Sequence, residues 1–209
     1  MRVAVIGSGN VGKALATAAV PRGHAVVVAA RDPAHAAGAA QATGATAARS
    51  SAEAVDGADV VVIAVPWGSV PDVASDLGSN VDGMAVVDAT NPLLPDYSAI
   101  AVQERSGAEE VQRLLPGASV VKAINTVLAS RIVDPVVDGV PLDGYVAGDD
   151  SAAKAKVTEL LGSIGLRPLD VGPLSEAVTL ERMAFLHIGL NMANGWPWQS
   201  GWKVLGPTG

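Results

Sequence analysis

The sequence predicts an α/β fold in which a doubly wound, largely parallel sheet is followed by a C-terminal helix and tail. Apolar, β-branched runs alternate with segments of helical character, which is typical of a parallel sheet covered by helices on both faces. Some runs are apolar almost throughout, as expected of strands buried on both sides. The predicted strands are Arg2–Ile6, Ala25–Ala29, Asp59–Val65, Met84–Ala89, Val120–Ile124, Gly144–Ala147 and Leu166–Val171.

Two helix starts are marked by capping residues. Asp32 followed by Pro33 predicts a helix N-terminus, because Asp is a good N-cap and Pro is favoured at the first helical position. Asp150 before an alanine- and lysine-rich segment predicts a helix from about residue 152 to Gly162. A weaker amphipathic pattern predicts a further helix over roughly 99–115.

The end of the chain predicts a long helix and an aromatic tail. Apolar positions approximate one helix face from about Leu174 to Asn194, and Gly195 is a plausible stop. No linker or repeat interrupts the chain. We therefore expect one domain over residues 1–209, with the C-terminal helix and Trp-rich tail occupying about 174–209.

Composition narrows the classes of partner. The net charge of −7 argues against nucleic acid, whose phosphate backbone selects basic surfaces. No apolar run approaches the ~20 residues of a membrane helix, so no membrane partner is expected. The absence of cysteine excludes disulfides and thiolate metal sites. Because the first predicted strand begins at residue 2, we expect no signal peptide and a cytoplasmic location.

A glycine-rich turn follows the first predicted strand and opens a helix. In Gly7-Ser8-Gly9-Asn10-Val11-Gly12, the first glycine allows a tight turn, the second lets a pyrophosphate approach the backbone, and the third lets the helix pack closely on the strand. The helix N-terminus then faces the phosphates with its dipole. This context predicts a Rossmann-type, dinucleotide-binding domain.

The same turn nearly matches the phosphate loop of NTPases, because Lys13 follows Gly12. That loop continues with Ser or Thr, whose hydroxyl binds Mg²⁺. Ala14 stands there instead, so the NTPase alternative lacks a metal ligand.

The end of the second predicted strand indicates which dinucleotide is bound. NAD enzymes place Asp or Glu there to bind the ribose 2′-hydroxyl. Here Ala30 and Arg31 occupy the junction, and a guanidinium can pair with the 2′-phosphate of NADP. Asp32 is better explained as a helix cap. We expect NADP(H), although Arg31 could also be a solvated surface residue.

The remaining strand ends are expected to line the nicotinamide ring, since ligands lie beyond the carboxyl ends of such strands. These ends supply small, apolar or hydrogen-bonding residues, which could also be ordinary turn residues. Asp88 is best explained as a turn residue. The candidates are Val65, Pro66, Trp67, Ala89, Thr90, Asn91, Asn125 and Thr126.

Histidine and tryptophan offer weaker signals. His24, His35 and His187 lack metal-ligand spacing, so no metal is expected. Trp196 and Trp198 lie in the tail, where their faces could stack on a planar substrate, bury at a subunit interface, or pack on the chain's own surface.

Several motifs together resemble the NADP oxidoreductases that depend on coenzyme F420, an 8-hydroxy-5-deazaflavin. The resemblance covers nearly the whole chain. It rests on Gly7–Gly12, Ala30-Arg31, Val65–Trp67, Asp88–Pro92, Gly148–Asp150 and the distinctive Arg167–Leu174.

The resemblance implies hydride transfer between NADPH and the deazaflavin. It places the pyrophosphate on the glycine turn, the 2′-phosphate on Arg31, the cofactor against Val65–Trp67, and the second ring against Asn125 and Thr126. By analogy the final helix forms a homodimer. Such chemistry needs positioning residues rather than a nucleophile or metal. The alternatives are a reductase of a flavin, imine or carbonyl metabolite and a non-catalytic NADP-binding protein.

Overall fold

The computed structural model describes residues 1–102 and 105–206. Its strands are β1 (Arg2–Ile6), β2 (Ala25–Ala29), β3 (Thr46–Ala47), β4 (Val60–Ile63), β5 (Ala85–Asp88), β6 (Ser119–Ala123), β7 (Val136–Val137), β8 (Val140–Pro141), β9 (Asp143–Gly148) and β10 (Arg167–Gly172). Its α-helices are α1 (Asn10–Ala19), α2 (Pro33–Thr43), α3 (Ser51–Val55), α4 (Val70–Leu77), α5 (Gly107–Leu114), α6 (Ala129–Val133), α7 (Ser151–Ser163) and α8 (Ala177–Asn194).

The main sheet confirms the predicted doubly wound architecture. Its strand order is β10-β9-β6-β5-β4-β1-β2-β3. The strands from β3 to β6 are mutually parallel, whereas β9 runs antiparallel to β6 and pairs in parallel with β10. The strand order reverses between β1 and β4, and this is the position at which such sheets bind ligands. The short strands β7 and β8 form a separate hairpin.

Both faces of the sheet are covered, which explains the almost entirely apolar strands. On β1, Val3 and Val5 join a buried cluster with α1, α6 and α7, while Ala4 and Ile6 join another with α3, α4 and α5. All four side chains are at most 2% exposed. No helix among the described residues combines the length and apolar character needed to cross a membrane.

The predicted helix signals are largely confirmed. The Asp32 carboxylate accepts from the amide of Ala34 at the start of α2, and Asp150 accepts from that of Ala153 at the start of α7. Gly195 ends α8 with a left-handed φ of 63°. A short 3-10 turn over Leu174–Glu176 precedes α8.

The helix predicted over roughly 99–115 was wrong in its first part. Residues 99–102 are not helical, and α5 begins only at Gly107. Ser106 and Glu109 form a capping box, in which each side chain accepts from the other residue's amide. This Ser-x-x-Glu signal fixes the helix start. Gln103 and Glu104 lie outside the described residues.

The tail packs on its own chain. Ser130 on α6 donates to the Trp198 carbonyl, and the buried Asp143 carboxylate accepts from the Val204 amide at 2.7 Å and from Lys203 at 3.1 Å. The tail therefore returns across α8 and is fastened to β9. Residues 207–209 of the predicted tail lie outside the described part of the chain.

Candidate functional site

Two neighbouring cavities lie beyond the carboxyl ends of the parallel strands. The glycine-turn cavity, of about 680 Å³, extends from Gly7–Gly9 to Arg31 and the start of α3. The α8 cavity, of about 550 Å³, lies between the start of α1, the ends of β5 and β6, and α8. Together they follow the edge of the sheet from β2 to β6.

Close neighbours constrain two of the three glycines in the turn, and the third has none. Gly7 has a φ of +124°, and a Cβ there would lie 2.2 Å from the Ala64 carbonyl oxygen. A Cβ on Gly12 would lie 2.0 Å from the Gly7 carbonyl oxygen. A Cβ on Gly9 would meet nothing within 4 Å. Gly7 and Gly12 are thus required for packing, whereas Gly9 leaves backbone bare beside the cavity.

The start of α1 can receive an anion. Its N-cap is Gly9, which provides no side-chain cap, and its first turn contains no acidic residue. The amides of a first helical turn have no intrahelical acceptor. Asn10 and Val11 line the α8 cavity, while Gly9 lines the glycine-turn cavity. This helix end therefore lies between the two cavities.

Two arginine side chains line the far end of the glycine-turn cavity. Arg31 follows β2, and Arg49 precedes α3 beside Ser50, the N-cap of that helix. Arg31 lies 3.1 Å from Asp72, with both side chains about three-quarters exposed. Arg49 was missed by the sequence analysis, although a basic residue before Ser50-Ser51 was visible.

Asn91 and Asn125 join the ends of β5 and β6 at the α8 cavity. The side-chain amide of Asn91 donates to the backbone carbonyl of Asn125 at 3.0 Å. The side-chain amide of Asn125 donates to Oδ1 of Asn91 at 3.1 Å and to the backbone carbonyl of Leu180 at 3.0 Å. These bonds assign the amide orientation. They leave Oδ1 of Asn125 and Oγ1 of Thr126 buried without a partner among the described residues.

His187 of α8 lines the same cavity. Burial lowers its pKa, opposed by a hydrogen bond to the backbone of Thr126. Its Nε2 lies 2.8 Å from Oγ of Ser200, and this oxygen accepts from the Asn191 side-chain amide at 3.1 Å. If Nδ1 donates to the Thr126 backbone, Nε2 must accept from Ser200. Both ring nitrogens are therefore engaged.

A buried ionic cluster lies next to this cavity. The Lys122 ammonium is 2.8 Å from Asp88 and 2.9 Å from Glu181, with all three side chains at most 2% exposed. Burial alone would lower the pKa of Lys122, but the two carboxylates hold it above its usual value. Asp88, expected only as a turn residue, also accepts from the Thr90 amide. In the sequence, the one sign of this cluster is Lys122 within an otherwise apolar predicted strand.

The predicted site residues separate into two groups and a remainder. Those lining the glycine-turn cavity are Gly7, Ser8, Gly9, Ala30, Arg31, Val65 and Pro66. Those lining the α8 cavity are Asn10, Val11, Ala89, Asn91, Asn125, Thr126 and Trp198. Those lining neither are Gly12, Trp67, Thr90 and Trp196.

The residues outside both linings have other surroundings. Trp67 packs in the apolar cluster beneath α4, next to Gly107. Thr90 is buried at 3% exposure below the α8 cavity, and Trp196 is 42% exposed. Trp198 is the predicted tail residue that reaches a cavity wall.

Sequence comparison identifies the family of this fold and site. Residues 2–92 match the family described as NADP oxidoreductase, coenzyme F420-dependent. The F420-dependent NADP reductase of Methanothermobacter marburgensis is 30% identical over 211 residues, covering 93% of this chain and 94% of that protein. The rat metalloreductase STEAP3 is 33% identical over 189 residues, covering 86% of this chain, which spans only 36% of that protein's length.

Solved structures agree with this assignment. A candidate F420-dependent NADP reductase from Arthrobacter sp. FB24 superposes with a TM-score of 0.88 at 31% identity, covering 98% of this chain and 99% of the other. A Streptomyces aurantiacus imine reductase has a TM-score of 0.66 at 24% identity, covering 94% and 62%, and shares the fold. The near-complete match to a reductase of similar length shows that this chain is an NADP oxidoreductase and belongs to the coenzyme F420-dependent family.

Proposed function

We propose that this oxidoreductase transfers hydride between NADPH and the deazaflavin coenzyme F420. The observation that carries the proposal is the α8 cavity, which adjoins the glycine turn and has no Asp, Glu, Lys or Arg among its described lining residues. Such a cavity suits two planar rings placed face to face. It offers no strong acid for other carbonyl chemistry.

The glycine-turn cavity would hold the adenosine half of NADPH. The bare backbone at Gly9 and the first turn of α1 would bind the pyrophosphate, because free amides and the helix dipole favour anions. Arg31 and Arg49 would hold the 2′-phosphate, with Ser50 and Ser51 as further donors. NADH lacks that phosphate, so these residues would select NADPH.

The nicotinamide half would extend past Asn10 into the α8 cavity. Oδ1 of Asn125 is a buried acceptor without a partner among the described residues, and the carboxamide of nicotinamide carries N–H donors. The Thr126 hydroxyl can donate to the carboxamide oxygen. Two unpartnered polar groups on consecutive residues would suit one carboxamide, and the small side chain of Ala89 would leave space for the ring.

The α8 cavity lacks a ready proton donor among its described lining residues, which favours an acceptor that needs none. Burial lowers the pKa of His187, both of its ring nitrogens are engaged, and Tyr97 is 53% exposed. A ketone needs a proton on oxygen as hydride arrives. A deazaflavin accepts hydride at a ring carbon and spreads the added charge over its ring system. When bound, NADPH supplies the hydride, and the chain orients both rings and excludes water.

Apolar side chains would form the outer wall around the acceptor. Trp198 reaches the cavity from the tail, and Met192 and Ile188 reach it from α8. Aromatic and thioether side chains make favourable contacts with planar rings. The fastened tail would therefore be part of the acceptor site.

A flavin is the alternative acceptor. It has the same planar shape and also accepts hydride without a strong acid. An imine that is already protonated would likewise need no acid from the cavity.

Absorbance spectroscopy tests the proposal. Purified protein is mixed, in the absence of oxygen, with NADPH and oxidised deazaflavin. The absorbance band of NADPH and that of the oxidised deazaflavin are both followed. We expect rapid loss of both bands, and much slower loss with NADH. If the protein binds NADPH but reduces only a flavin, the acceptor is a flavin and not the deazaflavin. If it reduces only a carbonyl compound, the cavity does supply a proton donor and the proposal is wrong.

We further propose a homodimer through α8. Leu186 and Met192 on this helix are 53% and 55% exposed, so α8 leaves two large apolar side chains uncovered. Light scattering of the eluting protein would test it. A monomer at micromolar concentration would contradict it.

A further inference from the structure

We propose that Lys122 is a positioning residue for the nicotinamide end of NADPH. Its ammonium fixes the two groups that orient the Asn125 amide, although Lys122 itself does not line the cavity. This inference rests on the proposed function, in which Oδ1 of Asn125 accepts from the carboxamide. Nothing in the reaction chemistry itself requires a buried lysine.

The ammonium has three donors and three partners. It donates to Oδ2 of Asp88 at 2.8 Å, to the Thr90 carbonyl at 2.7 Å, and lies 2.9 Å from Oε1 of Glu181. These partners belong to the end of β5, the loop after it, and α8. Lys122 on β6 therefore joins the end of β5 and its following loop to α8, and these three segments are distant in sequence.

The first connection leads to Asn91. The Thr90 carbonyl bound by Lys122 belongs to the planar peptide that continues into Asn91. The preceding amide of Thr90 donates to Oδ1 of Asp88 at 2.9 Å. Both peptide groups of Thr90 are thus held by the cluster. The backbone that carries Asn91 has little freedom to move, and Asn91 is one acceptor for the Asn125 amide.

The second connection leads to Leu180. Glu181 forms an ion pair with Lys122. Its carboxylate also accepts from the backbone amides of Gly107 and Ala108, where α5 begins, at 3.0 and 3.2 Å. These bonds fix the first turns of α8 against α5. The Leu180 carbonyl belongs to the peptide that continues into Glu181, and it is the other acceptor for the Asn125 amide.

Removal of the ammonium would loosen both acceptors together. Asp88 and Glu181 would remain as two buried carboxylates without their shared cation, which forces local rearrangement. The amide of Asn125 could then turn, and its free Oδ1 would no longer be fixed. The glycine-turn cavity contains none of these residues, so binding of the adenosine half should be unaffected.

The test compares Lys122→Met with a matched core variant, Val120→Ala. Val120 lies two residues earlier on the same strand and face and is 2% exposed, but it has no part in the ionic cluster. Both variants should melt at lower temperature. The probes are NADPH and 2′,5′-ADP, which carries only the adenosine half and the 2′-phosphate.

We expect Lys122→Met to weaken NADPH binding about tenfold, the effect of losing roughly one positioned hydrogen bond. Binding of 2′,5′-ADP should stay within about twofold, and Val120→Ala should show no such difference between the probes. Binding is measured by calorimetry below the melting temperature, so the result does not depend on turnover.

A milder variant answers the case in which Lys122→Met does not fold. Glu181→Gln keeps an oxygen for the ammonium but loses an acceptor for the α5 amides, and it should show the same selective loss at smaller size. Equal affinity changes for the two probes in the folded variants would overturn the inference. Failure of the wild-type protein to bind NADPH more tightly than 2′,5′-ADP would instead count against the proposed nicotinamide site.

Discussion

The Arg31 guanidinium lies 3.1 Å from the Asp72 carboxylate across the glycine-turn cavity. Arg31 follows β2 and Asp72 lies in the first turn of α4, so the pair bridges two elements at the place proposed for the 2′-phosphate. Both side chains are about three-quarters exposed, and exposed pairs of this kind are weak. A phosphate could therefore take the place of Asp72 on Arg31.

Replacing Arg31 should remove the preference for NADPH over NADH. We expect Arg31→Ala to raise the Kd for NADPH by about ten- to a hundredfold, the usual worth of a charge-assisted bond to phosphate. The Kd for NADH should change little, because NADH has no 2′-phosphate. Fluorescence titration measures both. Arg113→Ala serves as control, because Arg113 pairs with Glu110 on α5 away from the cavity.

Removing the Asp72 charge should strengthen NADPH binding, the opposite of the effect expected for Arg31→Ala. Asp72→Asn frees Arg31 and removes a negative charge from the phosphate site, so NADPH should bind about two- to fivefold more tightly. Asp76→Asn is the matched control, since Asp76 lines the same cavity one turn further along α4. A gain as large in the control would show a general charge effect instead of release of Arg31.

Gly12 and Gly9 of the glycine turn should respond differently to an added methyl group. Gly12→Ala places a Cβ 2.0 Å from the Gly7 carbonyl oxygen and should lower the free energy of unfolding by about 1–3 kcal/mol. Gly9→Ala meets no neighbour, so the protein should keep its stability but lose NADPH affinity. Urea unfolding and titration separate the two effects. Normal NADPH binding by Gly9→Ala would contradict the pyrophosphate position.

Burial of His187 should make the fold less stable in mild acid. Because burial lowers the pKa of His187 below the ordinary histidine value of about 6.5, the unfolded chain binds more protons than the folded chain, and stability falls as the pH drops below about 6.5. His24 acts in the same direction. Urea unfolding of His187→Gln should show a weaker pH dependence than the wild type in this range. An unchanged slope would mean that His187 is not the group responsible.

Local signals in the sequence were sufficient for the sheet and the glycine turn. The apolar runs and the spacing of Gly7, Gly9 and Gly12 encode backbone geometry directly, and Asp32 and Asp150 cap helices through adjacent amides. These features depend on neighbours along the chain, so a single sequence displays them.

Features that depend on distant contacts could not be predicted in this way. Lys122 meets Glu181 only because α8 crosses the end of β6, and the polar role of Glu181 is hidden in a largely apolar helix. Arg49 reaches the cavity only through the pairing of β3 with β2. The position of Trp198 likewise depends on how the tail is fastened to α6.

The central claim, direct hydride transfer from NADPH to the deazaflavin, is tested most directly with isotope-labelled cofactor. NADPH carrying deuterium at both C4 positions of nicotinamide is mixed with protein and oxidised deazaflavin, and the reduced product is analysed by mass spectrometry. If hydride passes directly between the two rings, each reduced deazaflavin carries one deuterium, which is retained in water because the new bond is to carbon. Absence of reduction, or a reduced product without deuterium, would contradict it.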